Sequence, residues 1–184
     1  GPVDAAAGYS YRRSLAYSDG SGRRFTSYAN YRGSEMDREA FSVGTGWFRL
    51  GFAPAGEHRG QISYTRQNGG EVLYPYLQMD ALYDNADRLS ANYATGWLRA
   101  ESYFTRVRHW MTDEFRTSSA GAPRGYGMGT FAATKALGGR LEALRGGWIA
   151  GLEGYRRNWN TTTTLRLNGE YASQSSIPNV NSTA

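Results

Sequence analysis

Runs in which apolar and polar residues alternate with a period of two constrain this chain more than anything else in it. From Tyr9 to Ser18, one parity carries Tyr9, Tyr11, Leu15 and Tyr17, and the other carries Ser10, Arg12, Ser14, Ala16 and Ser18. Gln61 to Gln67 repeats the pattern, with Ile62 and Tyr64 set against Gln61, Ser63 and Thr65. Arg88 to Ala94 places Leu89, Ala91 and Tyr93 opposite Ser90 and Asn92. Successive side chains of an extended strand point to opposite faces, whereas a helix scatters such residues around its circumference. The composition agrees: 14 Tyr, 7 Phe, 5 Trp and 24 Gly favour strands and turns.

Read this way, the sequence predicts about eight strands near residues 8–18, 23–32, 40–52, 58–67, 87–95, 97–110, 126–144 and 148–160, with Leu165 and Leu167 hinting at one more. Several are as long as the roughly nine to eleven residues with which a tilted strand crosses a bilayer. No apolar run reaches the ~18 residues of a membrane-spanning helix. Short turn-forming links at Asp19–Gly22, Ala53–Gly56, Thr95–Gly96 and Arg145–Gly147 alternate with longer ones at 33–39, 68–86 and 111–125. Tight turns at one end and extended loops at the other are the habit of outer-membrane barrels. In the first hairpin the phase is open, because Asp19–Gly22 equally suits the tip of an external loop. The expected fold is therefore all-β, a partial antiparallel up-and-down transmembrane β-barrel of about eight strands. Residues 1–7 read as a truncated start or cloning scar, 8–168 as part of the barrel, and 169–184 as a poorly ordered tail. Ile177–Ala184 contains Pro178 and does not alternate, which makes it a poor closing strand.

Several stretches resemble the barrel of TonB-dependent outer-membrane receptors. Gly46-Trp47-Phe48-Arg49-Leu50-Gly51-Phe52-Ala53-Pro54 is similar to a strand entering a periplasmic turn. Leu73-Tyr74-Pro75-Tyr76-Leu77-Gln78-Met79-Asp80, followed by Asp84 and Asp87, is similar to an external stretch before a descending strand. Tyr103 to Asp113 resembles an ascending strand ending in His109-x-Met111-x-Asp113, and Gly138–Glu142 with Gly151–Trp159 resembles the hairpin after it. The resemblance spans roughly Tyr9 to Asn160 and implies a wall fragment of a larger barrel, with neither the N-terminal plug nor the segment that contacts TonB in this chain. It implies a receptor in the Gram-negative outer membrane for a scarce ligand, such as a metal complex, siderophore or cobalamin, with copper among them. TonB, acting through the segment outside this chain, and the outer-membrane lipid are the implied partners. A small outer-membrane or soluble barrel acting as a passive binding or adhesion module is the other reading.

Candidate site residues are few. His109 and Met111 lie two apart on one strand and so share a face, and imidazole with thioether suits a soft metal such as copper. Tyr74, Tyr76 and Tyr83 suit either stacking on a ligand or the aromatic girdle at the lipid headgroups. Asp80, Asp84 and Asp87 lack the spacing of a calcium loop and read as a solvated external loop, and His58 reads as solvated beside a turn. The excess of basic over acidic residues gives a net charge of +5. Adjacent residues on a strand face opposite ways, so Arg12-Arg13, Arg23-Arg24 and Arg156-Arg157 do not build one nucleic-acid patch. The chain has no cysteine, and no catalytic triad, phosphate loop or paired-carboxylate motif is apparent, so no enzymatic role and no cofactor is expected.

Overall fold

The computed structural model of the protein describes residues 2–54, 56–119, 127–167 and 170–184. Eight strands form one antiparallel sheet in sequence order: β1 (Val3–Leu15), β2 (Glu39–Phe52), β3 (Arg59–Val72), β4 (Asp80–Ala94), β5 (Leu98–Thr112), β6 (Gly127–Arg145), β7 (Trp148–Leu167) and β8 (Glu170–Thr183). Every neighbouring pair is consecutive in the chain, so this is an up-and-down sheet, and β1 and β8 are its two edges. Among the described residues there is no α-helix, only two short 3-10 turns at Phe25–Ser27 and Gly33–Glu35.

The eight strands differ from the eight expected at three places. Residues 23–32 are not a strand. Their aromatics Phe25, Tyr28 and Tyr31 recur every third residue, and the backbone closes local turns, Tyr28 N–H and Ala29 N–H both donating to the Phe25 carbonyl. Residues 16–38 therefore form one long connection, and Asp19–Gly22 is a turn within it, held by Ser21 and Arg23 N–H donating to Asp19 Oδ1 at 2.9 and 3.0 Å. The second difference is the expected poorly ordered tail, which is β8. Its polar backbone pairs with the Thr-rich half of β7, and Pro178 with Asn179 falls in a bulge between the pairs Thr161↔Ile177 and Trp159↔Val180, where no ladder donor is needed. Leu165 and Leu167 extend β7 instead of starting another strand. Third, residues 3–7 belong to β1, paired from Val3↔Phe52 onward, so the wall runs from Val3 to Thr183 and not from 8 to 168.

The connections sort by length. The β2–β3, β4–β5 and β6–β7 links are short, and the β1–β2 and β5–β6 links at the opposite end are long. The β3–β4 link shrinks from the expected 68–86 to 73–79, because Asn68, Gly69 and Gly70 pair in the ladder despite their loop-like composition. Residues 120–125 of the expected 111–125 link lie outside the described residues, as do Gly1, Ala55 and residues 168 and 169.

Register assigns each residue a face. Ladder partners share a face, so one row reads Phe48, Tyr64, Leu89, Phe104, Leu137, a second Leu50, Ile62, Ala91, Ser102, Gly139, and a third Phe52, Gly60, Tyr93, Ala100, Leu141, Leu152. These three rows form an apolar belt on the short-turn half of one face. Trp148, 80% exposed, and Trp97, 62% exposed, stand at its lower rim. On β6 the three rows run from Leu137 to Leu141, about 13 Å along the strand, and the same face continues through Ala143 to Arg145 opposite Trp148, about 26 Å in all or about 20 Å after tilting. On the other face the same level carries Arg49, Ser63, Ser90, Tyr103 and then Gln61, Asn92, Glu101, Arg140, Glu153. Tyr9 and Tyr11, Ile62 and Tyr64, and Leu89, Ala91 and Tyr93 thus all fall on one face, whereas the Tyr9 alternation breaks at the register shift between Ser14 and Leu15, and Tyr17 lies outside β1. Aromatic pairs tie the belt together, Phe48 with Tyr64 at 5.8 Å and Phe52 with Tyr93 at 6.4 Å between ring centroids. Gly60 leaves space for the Phe52 ring, which would lie 2.1 Å from any Cβ there.

Candidate functional site

The packed core of this protein is not between its strands but at the long-loop end. Ala16, Phe25, Tyr31, Ala40, Leu73 and Phe115 form the buried apolar cluster, with Ala29, Phe41 and Leu82 against it. Phe25 is the wedge: its ring stands 4.9 Å from Tyr17 and 5.8 Å from Tyr31. Three connections, 16–38, 73–79 and the described part of 113–126, thereby close into one cap over the end of the sheet.

Inside the cap sits a buried ion pair. Arg116 donates from Nε to Asp80 Oδ2 at 2.8 Å and from Nη2 to Asp80 Oδ1 at 2.6 Å, a two-pronged contact between side chains 2% and 0% exposed. The remaining hydrogen-bonding capacity is used as well. Arg116 also donates to the carbonyls of Ala29 and Tyr74 and to the Tyr31 hydroxyl, each at 2.8 or 2.9 Å. Asp80 Oδ1 accepts from the Tyr31 hydroxyl at 2.8 Å and from Tyr74 N–H at 2.7 Å. The guanidinium lies 3.9 Å from the Tyr31 ring centroid. A buried charge pair is tolerated when each lone pair and proton is met in this way. Asp80 is therefore no solvated loop residue, as its sequence neighbourhood implied, and Asp84 and Asp87 lie on β4. A second basic residue, Arg38, packs 4.0 Å from the Phe115 ring centroid and bonds Glu35 and Glu71. Arg32 ties the rim to Ser119 through its carbonyl at 3.1 Å and its hydroxyl at 2.8 Å.

The cap has its own titration behaviour. Burial, then the hydrogen bond to Asp80 and its charge, push the Tyr31 phenol well above its ordinary value against the opposing pull of Arg116. A raised folded pKa favours the protonated hydroxyl, so this contribution is whole below about pH 10 and is lost as pH climbs beyond it. Hydrogen exchange of the cap amides is expected to be flat from pH 7 to 9, once corrected for intrinsic rates, and to accelerate above about pH 10. Tyr31→Phe is expected to flatten that slope in part, since Tyr74 is raised by burial and Tyr17 is pushed up to about 12 by its hydrogen bond with Tyr76. An unchanged slope in Tyr31→Phe would remove Tyr31 from the account. At the acid end, burial opposes ionisation of Glu35, but hydrogen bonds from Arg38 and Ser34 outweigh it and hold the carboxyl below its usual range.

The sequence-derived site residues are dispersed by this arrangement. Tyr74 is half-buried at the edge of the Arg116–Asp80 knot, holding it through its backbone. Tyr76 stands at the loop tip, 89% exposed, with its hydroxyl 3.5 Å from that of Tyr17. Tyr83 is on β4, on the face of the apolar belt but near the long-loop end, in a row with Trp110 and Phe131. Tyr76 joins Tyr17 and Tyr28 as exposed aromatic surface of the cap, with the aliphatic Leu77 exposed beside it. His109 and Met111 share the polar face of β5, as their spacing requires. His109 lies across the ladder from Asp84, Nδ1 to Oδ1 being 3.8 Å, and Met111 across from Ala81, which is fully buried. Among the described residues no three of His, Cys, Asp and Glu gather closely enough to hold a metal ion. His58 is exposed beside its turn, with Nδ1 2.7 Å from the Tyr93 hydroxyl. Arg116, the centre of the cap, had no signal in the sequence beyond its residue type.

Neither a protein-family model nor a curated protein sequence matches the chain. Among solved structures, its fold is similar to that of the copper transporter OprC, with a TM-score of 0.71 at 16% sequence identity. The match covers 96% of this chain and 27% of that one, so the chain spans about a quarter of the transporter's length. A likeness at this identity is a likeness of fold.

Proposed function

We propose that this chain is part of the wall of an outer-membrane transport barrel of the TonB-dependent kind, with the capped end facing outward to receive a scarce ligand. The observation that carries the reading is the division of one sheet face into an apolar belt on the short-turn half and a loop cap at the other end. The similarity of fold to a transporter wall supports it. Tyr17, Tyr28 and Tyr76 would supply the first aromatic contact, held in place from below by Arg116 and Asp80. The ligand would then pass along the polar face, and TonB, contacting a segment outside this chain, would supply the energy. No catalytic step is assigned to any residue.

Fractionation and uptake test this. The protein carrying this wall is expected in the outer-membrane fraction after alkaline extraction, and ligand uptake is expected to collapse with a protonophore. Retention in the soluble fraction sinks the reading; uptake or binding that ignores the protonophore favours a passive binding module.

Copper is the finer proposal for the ligand. It rests on the soft donors His109 and Met111 on the polar face, with Asp84 across the ladder from His109, and on the cargo named for the structurally similar transporter. With the full receptor, His109→Ala and Met111→Ala are each expected to weaken Cu(I) binding by about tenfold or more. Unchanged affinity removes both residues from the copper path.

A further inference from the structure

Immediately above the apolar belt, the same face turns basic. The next row toward the long loops reads Gly46, Arg66, Asp87, Arg106, Lys135, Asn158, Asn181, and the one beyond it contains Arg108. Arg156 continues the uppermost belt row beside Leu137. Five cations, Arg66, Arg106, Arg108, Lys135 and Arg156, thus share this band with one carboxylate, Asp87. That carboxylate is already engaged, accepting from Arg66 Nη1 and the Tyr64 hydroxyl, each at 2.7 Å. Arg106 faces Asp87 across the ladder, and among the described residues no ion pair within 4 Å is formed by Arg108, Lys135 or Arg156. Arg106 and Lys135 are directly opposed on adjacent strands, an arrangement that like charges disfavour unless an anion sits between or above them.

A shallow groove of about 280 Å³ lies at this boundary, lined by Phe104, Leu137 and Arg156 in the uppermost belt row, by Lys135, Asn158 and Asn181 in the row above, and by Ala136. Asn158 Nδ2 donates to Asn181 Oδ1 at 3.1 Å, fixing the far wall. Of the lining, Phe104, Ala136 and Leu137 are apolar and the rest polar, and Leu137 is 59% exposed, so the groove offers one side suited to hydrocarbon and another suited to negative charge.

We propose that this groove binds the phosphorylated headgroup of an anionic membrane lipid, with Lys135 and Arg156 of its lining on the phosphate, Arg106 adding positive charge from beside Lys135 across the ladder, and the acyl chain running down over Phe104 and Leu137. The assignment rests on the outer-membrane reading, which puts the belt in hydrocarbon and the basic band at headgroup level. Charge selects the occupant: a second copy of this face would bring cation to cation, whereas a lipid phosphate supplies the missing anion and continues the apolar surface.

The test uses the full barrel in neutral detergent, titrated with lipid A and followed by native mass spectrometry and thermal unfolding. Phosphatidylcholine and inorganic phosphate serve as parallel arms. Lipid A is expected to bind and stabilise, and the other two to do neither at the same concentration. The variant Arg106→Gln/Lys135→Gln/Arg156→Gln is expected to bind lipid A roughly 100-fold more weakly. Arg88→Gln, on the polar face, is expected to bind it normally. A loss below tenfold, an equal loss in Arg88→Gln, or an equal response to inorganic phosphate overturns the inference. Should the three-site variant fail to fold, Lys135→Gln alone must weaken binding by at least threefold, and a smaller effect is equally fatal. Outer-membrane localisation is measured separately, so a barrel that fractionates there without binding lipid A refutes this inference and leaves the transport reading standing.

Discussion

Arg116→Ala is expected to destabilise the loop cap by about 3–5 kcal/mol. The reason is the group left behind. Asp80 has no exposed surface and would keep its charge with only Tyr31 and Tyr74 N–H as partners. Three segments lose their common anchor at once, because Arg116 also bonds the Ala29 and Tyr74 carbonyls. Hydrogen exchange should rise through residues 25–31 and 73–80 while the strands of the belt stay protected, since the cap opens as a unit separate from the ladder. Arg116→Lys should recover little, because an ammonium cannot span both carboxylate oxygens and two carbonyls. Replacing both partners, Asp80→Leu with Arg116→Met, should cost less than Arg116→Ala alone, because no buried charge is stranded. If Arg116→Ala changes cap stability by less than about 1 kcal/mol, the ion pair is not what holds the loops.

Leu50→Arg, in the middle row of the belt, is expected to cost about 2–4 kcal/mol when the barrel carrying this wall is unfolded from lipid vesicles with urea. Leu50 pairs with Ile62 and Ala5 on the apolar face and is 42% exposed, so its environment in this assignment is hydrocarbon and not protein. A guanidinium there must snorkel or drag water inward. Ser90→Arg sits at a similar height on the opposite face and should change stability by less than about 1 kcal/mol. Equal costs at the two positions would mean that the faces have been assigned wrongly. The pair of variants is therefore a direct reading of which side of the sheet meets lipid.

How much of this was legible beforehand differs by element. Tyr9, Tyr11, Ile62, Tyr64, Leu89 and Tyr93 alternate plainly, and the structure puts them all on one face, because side-chain direction in a strand is a local property. The segment 23–32 misled through composition: Phe25, Tyr28 and Tyr31 are aromatic like strand residues, but their spacing of three does not alternate, and in the local turns Phe25 and Tyr31 pack inward while Tyr28 stays exposed. The tail misled in the opposite way. Glu170–Thr183 has little hydrophobic pattern, and its strand exists because β7 offers it a ladder of backbone donors and acceptors. Of the candidate residues, His109 and Met111 were legible only in that they share the polar face of β5, as two-residue spacing demands.

What the sequence by itself determined about this protein is the class of fold and the two faces of its strands, since period-two alternation and turn residues act over a few neighbouring positions. The tertiary structure decided the register and the cap. Asp80 and Arg116 stand 36 positions apart, and Tyr31 and Asp80 49 apart. A charged residue in a loop reads as solvated until its desolvating partners arrive from elsewhere in the chain, and only folding brings them. The basic band likewise emerges from register, because Arg106, Lys135 and Asn158 become neighbours only when three strands pair in one frame.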